Sequence, residues 1–181
     1  GVSIFNQFTG IGTVAVTDEI VDDCGGHPAN GTYHYHAFPY CGELAKESRK
    51  GNAETHSGLV GLSLDGFPVF GPYGYADASD TGSGIVRMES CYVFTACDDV
   101  TDSNCYVFDE EAYEAGTCHL DKCNGRITAV PDELQAALGE EIYAYHMTLD
   151  ETSSPSFPYQ PYCYRGDAGN NSSGPPSGPP N

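Results

Sequence analysis

Eight cysteines are spread through a 181-residue chain, at Cys24, Cys41, Cys91, Cys97, Cys105, Cys118, Cys123 and Cys163. An even number in a chain of this size points to an oxidising compartment and a disulfide framework. No Cys-x-x-Cys pair occurs, which weakens a zinc-knuckle reading. Spacing leaves the pairing open. Each bridge would contribute about 2–4 kcal/mol, and that matters in a chain with 22 glycines and little helix-forming sequence. The constraint is therefore a cross-linked, loop-rich domain built from short strands.

The local patterns agree with a mainly β (β-rich α+β) fold, a single disulfide-stapled domain with one or two short helices. Val2 to Phe8, Gly12 to Val21 and Thr32 to Phe38 carry β-branched and aromatic residues in partial alternation and are predicted strands. Leu59 to Leu64 and Phe67 to Phe70 flank Asp65-Gly66, a hairpin turn signal. Ile85 to Thr95 and Ile142 to Leu149 are further predicted strands. Pro131 to Leu138 has a proline start, acids in the first turn, apolar residues three to four apart, and Gly139 as a stop, so it is predicted to be helical. A second short helix is predicted near Asp109 to Ala115. Residues 1–165 form the expected domain, and the Gly/Pro/Ser-rich stretch 166–181 the expected tail, with its proline pairs in polyproline II.

Seven basic against 26 acidic residues give a net charge of −19, which argues against nucleic acid and anionic membrane surfaces as partners. No apolar run approaches the roughly 18–20 residues of a membrane span. A start at Gly1 with no leader is expected of a chain whose secretory signal has been removed, a trimmed piece being the plain alternative. Asn30-Gly31-Thr32, Asn170-Asn171-Ser172 and Asn171-Ser172-Ser173 are N-glycosylation sequons. Together with the cysteines they predict a secreted glycoprotein, with Asn30, Asn170 and Asn171 as candidate N-linked sites and the tail prolines as candidates for O-linked sugar.

The chain contains an internal echo. Tyr33 to Cys41 reads Tyr-His-Tyr-His-Ala-Phe-Pro-Tyr-Cys, and Tyr143 to Cys163 repeats Tyr-x-Tyr-His, then Phe-Pro-Tyr, then Cys, across an insertion. Two similar strands at opposite ends of one domain could neighbour each other in one sheet, which would bring His36 and His146 together. The opposing explanation is coincidence in a chain with 13 tyrosines.

Five segments together resemble the YHYH-domain family. They are Cys24-Gly25-Gly26-His27-Pro28, Gly31 to His36, Gly61 to Gly71, Leu120 to Arg126, and Tyr143 to Thr148 with Pro161 to Gly166. The resemblance runs in order over roughly residues 20–166 and implies a secreted or cell-surface domain. It implies fold unity and location more than chemistry. The second motif is Tyr-Ala-Tyr-His, so a second His-x-His pair is absent.

The candidate chemistry starts from His34 and His36. Residues two apart on a strand face the same way, so both imidazoles can share one ion, Zn or Cu by ligand type. His146 is the expected third ligand through the echo, with His27 and His56 in reserve. Asp65 and Asp121 could supply oxygen ligands or orient an imidazole. Tyr33, Tyr35, Tyr143 and Tyr145 would occupy the opposite, core-facing side. Against this stands a buried hydrogen-bonded histidine network, and, as a third reading, acid–base chemistry without metal. Asp77 to Gly84 and Cys97 to Cys105 offer the oxygen donors calcium prefers, although solvated acidic turns look the same. No Gly-x-Ser-x-Gly elbow or phosphate loop is present. A binding or structural role therefore comes before catalysis, with a metal-dependent oxidase or hydrolase as the alternative. Self-association through the N-terminal strand or the Pro-rich tail, into a filament or matrix, is the remaining expectation.

Overall fold

The computed structural model describes residues 1–29, 31–42, 54–95 and 103–169. Among the described residues strands dominate, in four small sheets. The first sheet has the order β1 (Ser3–Ile4), β3 (Thr32–Tyr35), β2 (Gly26–Ala29), with β1 parallel to β3 and β2 antiparallel to it. The second has the order β10 (Gly125–Ala129), β11 (Glu141–His146), β5 (Pro68–Phe70), β4 (Leu59–Leu62). Two ribbons complete the set, β6 (Tyr73–Tyr75) with β7 (Ile85–Arg87), and β8 (Tyr92–Phe94) with β9 (Tyr106–Phe108).

Helices are short, as predicted. The first, α1 (Ala15–Asp18), falls where a strand is expected. α2 (Glu110–Glu114) starts where the Asp109 side chain accepts the Ala112 amide, and α3 (Asp132–Leu138) follows Pro131 and stops at Gly139. The Asp65-Gly66 hairpin joins β4 to β5, and Gly66 takes the positive φ of 86° the turn requires.

Two strand expectations fail. Gly12 to Val21 is a turn followed by α1. Thr9 Oγ1 accepts the amides of Ile11 and Thr13, folding the chain back before it can extend. Val14 and Ala15 are then buried at the helix start rather than on a strand face. Ile85 to Thr95 splits into β7 and β8. The Met88 amide donates to Pro72 O and the Glu89 amide to His119 Nδ1, so the chain leaves one ribbon and enters another.

The core forms two clusters. Phe38, Val69, Tyr143, Tyr145, Met147 and Leu149 make up one, and Val14, Ala37, Phe157 and Tyr159 the other. Disulfides Cys24–Cys41, Cys91–Cys118 and Cys123–Cys163 staple these units. Cys105 is also bridged, while Cys97 lies outside the described residues.

The echo is a structural duplication. Asp22 Oδ1 accepts the Cys24 and Gly26 amides, and Asp121 Oδ1 accepts those of Cys123 and Gly125. The Tyr33 hydroxyl donates to Asp22, and the Tyr143 hydroxyl to Asp121. Gly26 faces Tyr35, and Gly125 faces Tyr145. The paired tyrosine rings cross edge-on in both copies, 5.5 Å apart at Tyr33/Tyr35 and 5.1 Å at Tyr143/Tyr145. β5 stands beside β11 as β1 stands beside β3. One detail of the alignment changes. The Tyr40 amide donates to Cys24 O and the Tyr162 amide to Cys123 O, so Pro39-Tyr40-Cys41 matches Pro161-Tyr162-Cys163 rather than the segment at Phe157. The expected side-by-side placement is also corrected, because β3 and β11 lie in different sheets.

Candidate metal centre

His27 on β2 sits opposite His34 on β3 in the antiparallel register. Directly opposed residues project to the same face, as do His34 and His36 by their two-residue spacing. Three imidazoles therefore meet at one point. Their Nε2 atoms are 3.0 Å apart for His27/His34, 3.1 Å for His27/His36 and 2.9 Å for His34/His36. His34 and His36 are buried, and His27 is half-buried. Glu19, the residue that ends α1, brings Oε2 to 2.6 Å from His27 Nε2 and 3.5 Å from His36 Nε2. Phe5, following β1, stacks on the His34 ring at 4.0 Å and closes that side.

The protonation pattern follows from the outer nitrogens. His34 Nδ1 faces Thr32 O, and His36 Nδ1 faces Asn6 O. A carbonyl only accepts, so each Nδ1 carries the proton and each Nε2 presents a bare lone pair. Two lone pairs 2.9 Å apart cannot hydrogen-bond to each other. Burial holds His36 below its ordinary pKa, against the opposing pull of the Asn6 carbonyl and Glu19, so added protons are a poor remedy. Glu19 Oε2 is itself buried without a well-directed hydrogen bond. Three imidazole nitrogens thus share one space, with the Glu19 carboxylate beside His27. His27, His34 and His36 could together hold one metal ion, and Zn or Cu would suit imidazole nitrogens.

The backbone carbonyls of Thr32 and Asn6 do the orienting expected of Asp65 and Asp121. Asp121 is occupied by Tyr143 and the turn amides. Asp65 accepts from the Tyr145 hydroxyl, Ser63 Oγ and the Gly166 amide. Both carboxylates serve the tyrosines, not the histidine cluster. His146 is likewise placed elsewhere, with Nδ1 on Gly71 O and its ring near His56, inside the second copy. The cluster of metal-ligand geometry among the described residues is His27, His34 and His36. In the second copy Arg126 and Ala144 take the positions of His27 and His34, and only His146 keeps its counterpart's place. Tyr143 and Tyr145 are core residues, whereas Tyr33 and Tyr35 are half-buried. Glu19 escapes sequence reasoning because the pattern from Gly12 to Val21 reads as a strand. The candidate glycan sites Asn30, Asn170 and Asn171, and the acidic stretch that follows Cys97, lie outside the described residues.

Fold and site together define a disulfide-stapled β domain, duplicated in its central motif, with one histidine cluster among the described residues that could hold a metal ion. The family model described as YHYH protein matches residues 7–166, and the chain belongs to the YHYH family. No curated protein and no solved structure gives a significant match. No helix among the described residues is long and apolar enough to cross a membrane.

Proposed function

We propose that this YHYH protein is an extracellular metal-binding domain that holds one Zn or Cu ion through His27, His34, His36 and Glu19. The observation that carries the reading is the convergence of three Nε2 atoms within 2.9–3.1 Å, two of them on imidazoles whose Nδ1 protons are committed to carbonyls. A purely hydrogen-bonded network would alternate donors and acceptors, whereas His34 and His36 turn two acceptors toward each other at 2.9 Å. Disulfides and the acidic surface support a secreted setting. A binding or structural role agrees with a centre walled by buried histidines and a stacked phenylalanine.

The catalytic alternative rests on one feature. His27 and Glu19 side chains keep 17% and 24% of their exposure, so the ion would be reachable from that side. A solvent-reachable ion with an exchangeable ligand could activate water or oxygen.

The deciding experiment is elemental analysis of the purified chain after dialysis against equimolar Zn and Cu. About one ion per chain is expected, with loss in His34→Ala and His36→Ala and weaker binding in Glu19→Gln. His146→Asn should retain the ion. A folded, metal-free wild type after this loading would refute the reading.

A further inference from the structure

The second copy of the motif keeps the scaffold and changes the chemistry. Nε2 of His146, Nε2 of His56 and Nε of Arg126 are among the polar atoms buried there with no hydrogen-bond partner. They are neighbours. The His56 and His146 rings are 6.0 Å apart, and Arg126 acts electrostatically on both. A methyl group placed on Gly74 would meet Arg126 Nη2 at 3.1 Å and His146 Cε1 at 3.2 Å, so this glycine lets the two close together.

Their hydrogen-bonding states are set from outside. His56 Nδ1 faces Ser57 O at 2.7 Å, and His146 Nδ1 faces Gly71 O at 2.9 Å. Each Nδ1 is therefore the protonated nitrogen, and each Nε2 is a bare acceptor. Arg126 Nη2 donates to Tyr75 O at 2.6 Å, while its Nε–H donates to nothing. Asp77 is the carboxylate that acts on Arg126 in the opposite sense, and no ion pair joins them. Burial pulls the guanidinium down to about 10. A desolvated guanidinium without a counter-charge is strongly disfavoured, and it lies beside two acceptors that need donors.

We propose that this buried cluster, reached from the cavity that His56 lines, binds a small, singly charged oxyanion that keeps a hydroxyl group, of the hydrogen carbonate or dihydrogen phosphate class. Its charged oxygen accepts from Arg126 Nε–H and balances the guanidinium. Its hydroxyl donates to Nε2 of His146 or His56. Sulfate and chloride have no proton to give and would oppose the imidazole lone pairs. Water fills the hydrogen bonds but leaves the charge unbalanced. A metal cation is repelled by Arg126. His56 also lines a cavity of about 400 Å³ with Tyr75, Pro131, Glu54 and Glu133. The imidazole thus stands between the cavity and the buried pair. The two glutamates on the wall disfavour multiply charged anions.

The test uses the full chain stripped of metal, so that no ion in the first centre captures the anion. Histidine-selective ¹⁵N spectra are followed while sodium hydrogen carbonate, or phosphate at pH 6.5, is added, with sulfate and chloride at matched ionic strength. Saturable shifts at His56 and His146 with the first two salts alone are expected. Arg126→Gln should weaken binding at least about tenfold, the loss expected for a charge-assisted hydrogen bond. Should that variant not fold, His56→Leu replaces it and should also weaken binding severalfold. Identical spectra in all salts would mean a water-filled site and overturn the proposal. So would equal responses to sulfate or chloride, or unchanged affinity in His56→Leu.

Discussion

The duplicated motif offers a paired test in which the same lesion is made twice. Gly26 and Gly125 occupy equivalent cross-strand positions under Tyr33 and Tyr143. A Cβ at Gly26 would lie 2.5 Å from Tyr33 Oη, 2.6 Å from its Cζ and 2.9 Å from His34 O. A Cβ at Gly125 would meet Tyr143 Oη, Cζ at 2.6 Å and Ala144 O at 2.8 Å. Either alanine must push a tyrosine ring aside and force its strand away from the neighbouring one, an overpacking cost of about 1–3 kcal/mol. The difference lies in where the ring can go. Tyr33 is half-buried and its Asp22 partner exposed, so it can swing into water. Tyr143 is 8% exposed, packed in the main cluster, and its hydroxyl reaches both Asp121 oxygens at 3.0 Å. Displacing it also breaks a hydrogen bond to a charge, worth about 1.5–3 kcal/mol. Gly125→Ala is therefore expected to cost about 2.5–6 kcal/mol, a large share of a typical domain's stability of about 5–15 kcal/mol. Gly26→Ala should cost about 1–3 kcal/mol and also weaken metal binding, because His27 and His34 pair across the strands it pushes apart. Urea unfolding gives the stabilities and elemental analysis the occupancy. A Gly125→Ala protein within about 0.5 kcal/mol of wild type, the range of surface substitutions, would refute the reasoning. So would metal loss in Gly125→Ala with retention in Gly26→Ala.

Saturating metal at about a hundred times its dissociation constant should stabilise the fold by about 2.7 kcal/mol; a thermal midpoint that ignores both metal and chelator in wild type would count against the centre. Acid should destabilise the chain through His56, His119 and His146, which burial holds below 6.5 in the fold. The unfolded state then binds more protons below about pH 6.5, so stability present above that value is lost as pH falls toward the folded values. The slope is about 1.4 kcal/mol per pH unit for one fully buried group, and stability that stays flat from about pH 7 to 5 in urea titrations would contradict it. Replacing Cys123 and Cys163 by serine opens a 40-residue separation and should cost about 3–4 kcal/mol by loop entropy, read as a lower urea midpoint; an unchanged midpoint would argue that the unfolded chain is already compact there.

Strand identity is legible wherever local signals agree, as at Thr32 to Tyr35 and around Asp65-Gly66, because pleat and turn preferences act between near neighbours. β2, β6 and β10 carry no comparable signal. Gly26–Ala29 and Gly125–Ala129 have weak strand propensity and are extended by their antiparallel partner strands. The segment from Gly12 reads as a strand because its valines fit one, and a threonine side chain binding two backbone amides reverses it. The same reversal hides Glu19 from sequence reasoning. The His-x-His pair is a sound predictor of the candidate centre's position, since two-residue spacing sets a shared face whatever the partners are.

Primary structure is enough to establish the disulfide-rich β character, the family resemblance, the duplicated Tyr-x-Tyr-His motif and the pair His34/His36. All of these depend on residue type and on contacts within a few positions. Which histidine joins that pair is settled by tertiary structure alone. Repetition favours His146, but a repeated motif repeats its surroundings, so His146 finds the counterparts of His36's neighbours rather than His36 itself. Strand pairing across the first hairpin supplies His27, and a helix end supplies Glu19. Convergence is a property of register and of chain reversal, and neither is written in the spacing of the ligands.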